Sequence, residues 1–268
     1  MTGIVLEDVA KRFRTRRGET LALNGVDLQI GEGEFVAVVG PSGCGKSTLL
    51  RLVSGLTPAT SGRVAVFGRA VSGPLTEVGI VFQSPVLLEW RTVLGNVLFQ
   101  AGIRGLGEAA YRDRAMALLH QVGLADFGDR HPHELSGGMR QRTSIARALL
   151  HEPRLLLMDE PFGALDALTR EQMRIDLEAL WMKNRMTVLF ITHRVDEAVL
   201  LSDRVAVMSE RPGRVDQLLE VDIPRPRGLA GRRDPRFVAL TEQVTDLFLS
   251  RGVLHGAGAS LRPTPPAA

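Results

Sequence analysis

The residues best suited to chemistry stand in a glycine-rich stretch, GPSGCGKST, at positions 40–48. The stretch fits the pattern G-x-x-x-x-G-K-[ST] and lies between an apolar run and a helical pattern. Its glycines let backbone N–H groups approach phosphate oxygens without a side chain in the way. The start of the following helix adds partial positive charge. The stretch therefore predicts a phosphate-binding loop.

The side chains of this loop have separate expected tasks in binding a nucleotide. Lys46 is placed to reach the β- and γ-phosphates, and the Ser47 hydroxyl is placed to hold Mg²⁺. Thr48 is expected at the α- and β-phosphates. The residues assigned to nucleotide binding in this loop are Gly40, Pro41, Ser42, Gly43, Cys44, Gly45, Lys46, Ser47 and Thr48.

Three more polar residues follow apolar runs that read as buried strands. Asp159 ends the run LLLM and is expected to hold Mg²⁺ from a neighbouring strand end. Because the chain turns there, Glu160 can aim at the γ-phosphate and polarise an attacking water. His193 ends the run TVLFITH and is placed to donate to the γ-phosphate or to orient that water. A solvated acidic pair and a surface histidine are the plainer alternatives.

A second candidate anion site, LSGGMRQR, lies at 135–142. Ser136 and the N–H groups of Gly137 and Gly138 stand at the start of a helical pattern, where anions bind well. A chain with one nucleotide motif needs this second site only if it caps a γ-phosphate held by another chain. We therefore expect a head-to-tail twofold dimer that shares two ATP molecules.

Taken together, these motifs resemble the nucleotide-binding subunit of ABC transporters over about residues 3–220. GPSGCGKST is similar to Walker A, LLLMDE to Walker B and LSGGMRQR to the ABC signature. The resemblance implies that Gln83 touches Mg²⁺ and faces a membrane subunit, and that Asp166 lies near the dimer axis. It also implies that His193 is the switch histidine. Phe13 is similar to the aromatic residue that stacks on adenine, with Phe in place of the more usual Tyr.

The finer pattern resembles the nitrate, sulfonate and taurine importers. LLEWRTVLGNV, at 87–97, is similar to the LLPWxTVxxNV stretch of that branch, with Glu89 in place of Pro. The resemblance implies that integral membrane permease subunits dock here, and that a periplasmic or extracellular solute-binding protein acts with them. The side chains that would line the docking groove, or alternatively complete the core, are Phe82, Leu87, Leu88 and Trp90.

The order of apolar runs and helical patterns predicts an α/β fold. The resemblance refines this to a P-loop NTPase (ABC ATPase) with a RecA-like core, an antiparallel β subdomain and a helical subdomain. The ATPase domain is expected at 1–220, with the helical subdomain at about 84–152. Residues 221–268 are expected to form a linker, a short helix and a disordered tail. The strands are predicted at 35–40, 63–68, 78–82, 154–160, 187–193 and 204–209, and the helices at 46–55, 92–101, 108–122, 138–150, 167–184 and 195–202.

The bulk composition argues against several classes of protein. The 268 residues hold 33 Lys and Arg against 30 Asp and Glu, too small an excess to indicate a nucleic-acid partner. A single cysteine excludes an intrachain disulfide and fits a reducing compartment. No apolar run reaches the roughly 18–20 residues that span a bilayer, and the first residues lack a secretory pattern. We expect a cytoplasmic protein, peripheral on the cytoplasmic face of the membrane.

Three rival functions share part of this pattern. A soluble ABC ATPase of translation or DNA repair usually joins two cassettes or carries a long coiled coil. A P-loop kinase needs an acceptor pocket rather than a second phosphate site, and a regulatory ATP-binding module has no need of Glu160 and His193. The sequence favours an ATPase that couples hydrolysis to uptake of a small solute such as nitrate, a sulfonate or taurine. It leaves open the cargo and whether the second cassette is an identical copy.

Overall fold

Two β-sheets form the framework of the computed structural model, which describes residues 2–15, 18–251 and 253. The strands are β1 (Thr2–Thr15), β2 (Gly18–Gly31), β3 (Phe35–Val39), β4 (Ser61–Val66), β5 (Arg69–Ala70), β6 (Val78–Val81), β7 (Leu155–Asp159), β8 (Thr187–Ile191), β9 (Arg204–Met208) and β10 (Val215–Glu220). One sheet has the order β2-β1-β4-β5, and the other has the order β10-β9-β3-β8-β7-β6. The six predicted strands agree with the observed ones to within two residues at each end.

The first sheet is antiparallel, and most of it comes from residues that the sequence pattern assigned to no individual strand. In β2, buried Val26, Leu28 and Ile30 alternate with exposed Asp27 and Gln29. This period of two is that of a strand with one face on the core. The register of β1 shifts between Leu6 and Val9, where Glu7 and Asp8 are both exposed. This shift breaks the alternation in β1, so its sequence does not read as a regular strand.

The second sheet positions the candidate site. Its strands β9, β3, β8, β7 and β6 are parallel, and β10 adds an antiparallel edge. Every residue of β3, β7 and β8 is buried, as expected of parallel strands covered on both faces. Because β3, β8, β7 and β6 are neighbours, the loops after their carboxyl ends meet at one edge of the sheet, where ligands bind in open α/β folds.

Helices cover the parallel sheet. They are α1 (Lys46–Val53), α2 (Val93–Ile103), α3 (Arg112–Gln121), α4 (Gly137–Leu149), α5 (Ala167–Asn184), α6 (Val195–Leu201) and α7 (Pro235–Ser250). The helix predicted at 108–122 is interrupted, since a 3₁₀ turn at Ala109–Tyr111 precedes α3. Within the described part of the chain, no helix is long and apolar enough to cross a bilayer.

The sheet separates two hydrophobic cores. One lies between the two sheets and includes Leu49 and Leu50 of α1. The other lies on the opposite face and surrounds Trp181, whose ring meets Phe35 edge-on at 5.9 Å between centroids. Three of the helices in this second core, α2, α3 and α4, come from the segment between β6 and β7. That segment also carries the LSGGMRQR stretch.

The Pro- and Arg-rich stretch after β10 is packed against the rest of the fold. Arg227 is buried, and its guanidinium donates to the carbonyl oxygens of Val199 and Ser202, both at 2.7 Å. These bonds satisfy a charge that would otherwise be costly to bury. The stretch leads into α7, where Val244 and Phe248 are buried. The tail predicted to be disordered, 256–268, lies outside the described residues.

Candidate nucleotide-binding and catalytic site

The glycine-rich loop joins β3 to α1 in the way that the sequence predicts. Gly43 and Gly45 have φ angles of 77° and 107°, a region that residues with a Cβ rarely enter. A Cβ on Gly45 would lie 2.6 Å from Leu23 Cδ2 and 3.0 Å from the Ala22 carbonyl oxygen. The loop is therefore a backbone cradle at a helix N-terminus, the arrangement that binds phosphate oxygens.

Lys46 and Cys44 lie inside this loop. Lys46 is buried, and its ammonium donates to the carbonyl oxygens of Gly40 at 2.8 Å and Pro41 at 2.9 Å. These bonds hold the lysine charge at the centre of the cradle. Cys44 is fully buried, and burial raises the pKa of its thiol, although the Lys46 charge opposes the shift. The thiol therefore stays protonated and packs as an apolar group.

Asp159 and Ser47 form a fitting pair of ligands for a divalent cation. Burial raises the pKa of Asp159, and a hydrogen bond from the Ser47 side chain acts in the opposite direction. Oδ1 of Asp159 is buried and makes no hydrogen bond within the described residues. A buried, unpartnered carboxylate oxygen beside a hydroxyl suits Mg²⁺, which binds through few protein oxygens and completes its shell with water and phosphate.

Glu160 is held by residues from two other strand ends. Its Oε2 accepts a hydrogen bond from Gln83 Nε2 at 3.0 Å, and His193 Nδ1 lies 3.3 Å from the same oxygen. The backbone of Glu160 has φ 46°, and its N–H donates to the Ile191 carbonyl oxygen at 2.8 Å. The sequence placed His193 at the end of β8, whereas the strand ends at Ile191 and His193 lies in the following turn.

Several of these residues line one pocket of about 400 Å³, whereas His193 lies outside it and lines a smaller neighbouring pocket together with Glu160. Among the described residues, the predicted site residues Gly40, Pro41, Cys44 and Asp159 do not line the larger pocket either. Phe13 lies at its edge, half-buried, with Lys11 Nζ 5.0 Å from the ring centroid. The complete lining is Phe13, Thr20, Ala22, Ser42, Gly43, Gly45, Lys46, Ser47, Thr48, Gln83, Glu160 and Arg211. Sequence reasoning missed Thr20, Ala22 and Arg211, because no phosphate motif contains them and only the tertiary fold brings them to the loop.

The LSGGMRQR stretch lies elsewhere. Ser136 is exposed and caps α4 by accepting a hydrogen bond from the Met139 N–H at 3.2 Å. A Cβ on Gly138 would lie 3.2 Å from Leu165 Cδ2, so this stretch is next to the turn that carries Asp166. Asp166 is exposed and caps α5 by accepting from the Thr169 N–H at 3.0 Å. As far as the described residues define the pocket, Ser136, Gly137 and Gly138 do not line it in their own chain.

Comparison with known proteins agrees with this geometry. A family model described as ABC transporter matches residues 23–163. The aliphatic sulfonates import ATP-binding protein SsuB 2 of Burkholderia cenocepacia is 47% identical over 231 residues, which cover 86% of this chain and 83% of that protein. The nitrate import ATP-binding protein NrtD of Synechocystis sp. is 42% identical over 252 residues, which cover 92% of this chain and 95% of that protein.

The fold has close counterparts among solved structures. A dimeric ATP-binding cassette in a post-hydrolysis state, bound to ADP and Pi, superposes with a TM-score of 0.76 at 32% identity. The match covers 82% of this chain and 100% of that chain. It confirms the predicted fold class, a P-loop NTPase of the ABC ATPase type. The chain belongs to the ABC transporter family and is one of its ATP-binding cassettes, an ATPase.

Proposed function

We propose that this cassette is the ATP-hydrolysing subunit of an importer for a small solute such as nitrate, a sulfonate or taurine. It works bound to permease subunits at the cytoplasmic face of the membrane, and a solute-binding protein on the other side delivers the cargo. The observation that carries the proposal is the kinship with two importer subunits, SsuB 2 at 47% identity and NrtD at 42%. The cassette itself does not contact the cargo.

In this proposal Glu160 is the general base for the attacking water. Its carboxylate is positioned by Gln83 and His193, which both engage Oε2, so Oε1 is the oxygen that faces the water. His193 orients the water or donates to the γ-phosphate. Lys46 and the loop N–H groups bind the β- and γ-phosphates, Thr48 the α- and β-phosphates, and Phe13 stacks on adenine.

Mg²⁺ is the expected second cofactor. Ser47 and Asp159 would hold it together with the Gln83 side chain, and when bound it would neutralise charge on the transferring phosphate oxygens. The support for this assignment is the unpartnered Asp159 oxygen beside the Ser47 hydroxyl. To bind the metal, Gln83 would have to give up its hydrogen bond to Glu160. Binding of the cation would therefore change the hydrogen bonds of the general base.

A second cassette, most simply an identical copy, completes each ATP site. Support comes from Ser136, which is exposed and outside its own chain's pocket. In a head-to-tail dimer, Ser136 and the N–H groups of Gly137 and Gly138 would cap the γ-phosphate held by the partner. Asp166 lies on the neighbouring turn, which suits a position near the dimer axis. ATP then closes the dimer because it binds the closed state better than the open one.

The permease docks where the chain leaves β6. Trp90 is 76% exposed and Val86 is 58% exposed, whereas Leu87 is buried and belongs to the core. The loop that carries Trp90 is fixed by Asn96, whose side chain donates to the carbonyl oxygens of Leu88, Arg91 and Thr92 and accepts from the Leu88 N–H. A rigid loop with an exposed tryptophan suits an interface that a partner covers. Glu89 is exposed beside it.

Purification of the tagged full chain from membranes of its own host tests this function. We expect a stoichiometric partner with several membrane spans, and Trp90→Glu should reduce its recovery at least about fivefold, because a charge replaces the central apolar anchor. Leu229→Glu is the matched control, since Leu229 is also an exposed large apolar residue but lies after β10. Recovery of soluble partners alone would instead favour a non-transport ABC ATPase.

A further inference from the structure

The turn between β9 and β10 brings an arginine to the nucleotide pocket. Arg211 is part of the pocket lining, together with the phosphate loop and Phe13. A Cβ built on Gly43 would lie 3.5 Å from Arg211 Nη2, so the guanidinium faces the phosphate loop directly. The Walker and signature motifs do not include this turn, and it lies more than 160 residues after the loop in sequence.

The backbone of this turn is docked against two other elements of the fold. The N–H of Gly213 donates to the Ala22 carbonyl oxygen at 2.9 Å, and the Asn24 N–H donates to the Gly213 carbonyl oxygen at 3.0 Å. A Cβ on Gly213 would lie 1.9 Å from the Cys44 carbonyl oxygen, so only glycine allows this approach. The turn therefore lies against both β2 and the phosphate loop.

The turn is also closed on itself. The N–H of Ser209 donates to the Arg214 carbonyl oxygen at 3.0 Å, and the Arg214 N–H donates to the Ser209 hydroxyl at 3.1 Å. The Arg214 side chain points elsewhere and pairs with Asp216 at 2.9 Å. Two arginines of one turn thus have different surroundings, and only Arg211 lines the pocket.

The positive charge of Arg211 is available to bind a ligand. Its exposed guanidinium makes no hydrogen bond or ion pair with any other residue in the described ranges. The charged residues of the lining are Lys46, Arg211 and Glu160, so Arg211 changes the net charge of the lining from zero to positive. A guanidinium can bind two phosphate oxygens at once, and an anionic polyphosphate is the ligand class that such a group recognises.

We propose that Arg211 binds the phosphate chain of the nucleotide, as an additional contact to those of the phosphate loop. The inference rests on the assignment of this pocket to ATP. It concerns affinity, since Arg211 approaches the loop at Gly43 and, within the described residues, forms no hydrogen bond or ion pair with Glu160, Gln83 or His193. Its loss should therefore raise Kd for ATP.

Calorimetric titration of the full chain with ATP, ADP and adenosine, without divalent cations, tests the inference. Arg211→Gln should raise Kd for ATP and ADP about 3- to 10-fold, the range between an exposed ion pair and a charge-assisted hydrogen bond. Binding of adenosine should not change, and Arg211→Lys should recover part of the affinity. The difference between wild type and Arg211→Gln should shrink as the salt concentration rises.

Arg214→Gln is the matched control, because Arg214 occupies the same turn but pairs with Asp216. It should bind all three ligands like the wild type. Equal ATP affinity in wild type and Arg211→Gln would overturn the inference, and so would an equal loss for adenosine and ATP. Failure of the wild type itself to bind ATP would instead count against the ATP site, so the two failures are distinguishable.

Discussion

Glu160 combines a strained backbone with a side chain that is held from two sides. Its φ of 46° is in the left-handed region, which costs a residue with a side chain about 1–2 kcal/mol. The bond from its N–H to the Ile191 carbonyl oxygen supports this conformation. Strain of this kind persists where surrounding structure over-determines it, often at functional sites. Here it turns the carboxylate away from the strand direction of β7 and toward Gln83 and His193.

His151, outside the pocket, gives the protein a pH-dependent stability. Burial and then the charge of Arg104 lower its pKa from 6.5 to about 4. Between these values the unfolded chain binds a proton that the folded chain does not, so the free energy of unfolding falls as the pH drops through this window. His151 is partly buried, and solvent screening reduces the effect to about 1 kcal/mol, or roughly 2–4 °C in Tm.

The measurement is Tm between pH 7 and pH 4.5 for the wild type and for His151→Gln, which cannot titrate. We expect the variant to lose less stability on acidification. His120→Gln is the control, because it makes the same exchange at an exposed position of α3. Parallel curves for the wild type and His151→Gln would contradict the assignment.

Local chemistry explains which residues of the site could be predicted from the sequence. The phosphate loop is contiguous, and its glycines are required by the backbone itself, so Gly43, Gly45 and Lys46 are readable from spacing alone. Arg211 and Thr20 reach the pocket only through sheet pairing and the docking of a turn. No local sequence pattern predicts such residues, because the residues that surround them in the fold are distant in sequence.

At the scale of elements, the segment after β10 links the C-terminal helix to the turn that carries His193. Arg232, in the 3₁₀ turn before α7, pairs with Asp196 of α6 at 3.2 Å and with Glu171 of α5 at 3.0 Å. Asp196 also pairs with Arg194 at 3.1 Å, directly after His193. The composition of this segment indicates a linker, yet its ion pairs reach the turn that carries His193.

Arg232→Ala should lower kcat for ATP hydrolysis about two- to threefold and leave KM for ATP unchanged, because it loosens the His193 turn and leaves the phosphate loop intact. The ion pairs are partly exposed, so the loss of stability should stay within about 1 kcal/mol. Steady-state kinetics check the split between kcat and KM. Arg233→Ala is the control, since Arg233 is exposed next to it and has no ion pair among the described residues. Equal kcat values for both variants would contradict a positioning role.

The sequence predicts the fully buried strands best, and β10 shows why a largely exposed edge strand is missed. The fully buried strands β3, β7 and β8 read as unbroken apolar runs. The strand β10 was not predicted, because its residues are half-buried or exposed and it lies at the sheet edge. This segment is a strand because it pairs with β9, and that pairing depends on the tertiary structure rather than on the residues of β10 alone.

At the scale of the whole molecule, one chain holds a phosphate loop and a second helix N-terminus, at Ser136, that does not line its own pocket within the described residues. Ser136 is exposed at the N-terminus of α4, beside the turn of Asp166. A dimeric cassette is among the solved structures with the same fold. ATP-dependent dimerisation is therefore the expected global change, driven by the difference in ATP affinity between closed and open states.

The variant Glu160→Gln should bind ATP, hydrolyse it about 10²-fold more slowly or worse, and accumulate as a dimer, because the bridging γ-phosphate is no longer removed. Adding Ser136→Asp should keep this chain monomeric, since Asp still caps α4 but places a negative charge against the γ-phosphate of the partner. Ser136→Asn preserves the cap without the charge and is the matched control, so it should retain much of the dimer. Sedimentation with ATP and with ADP measures the three chains. Two results together would contradict the shared site: a wild type that stays monomeric with ATP, and a Ser136→Asp variant of the wild type that hydrolyses ATP at the full rate. They would show that each cassette completes its own site.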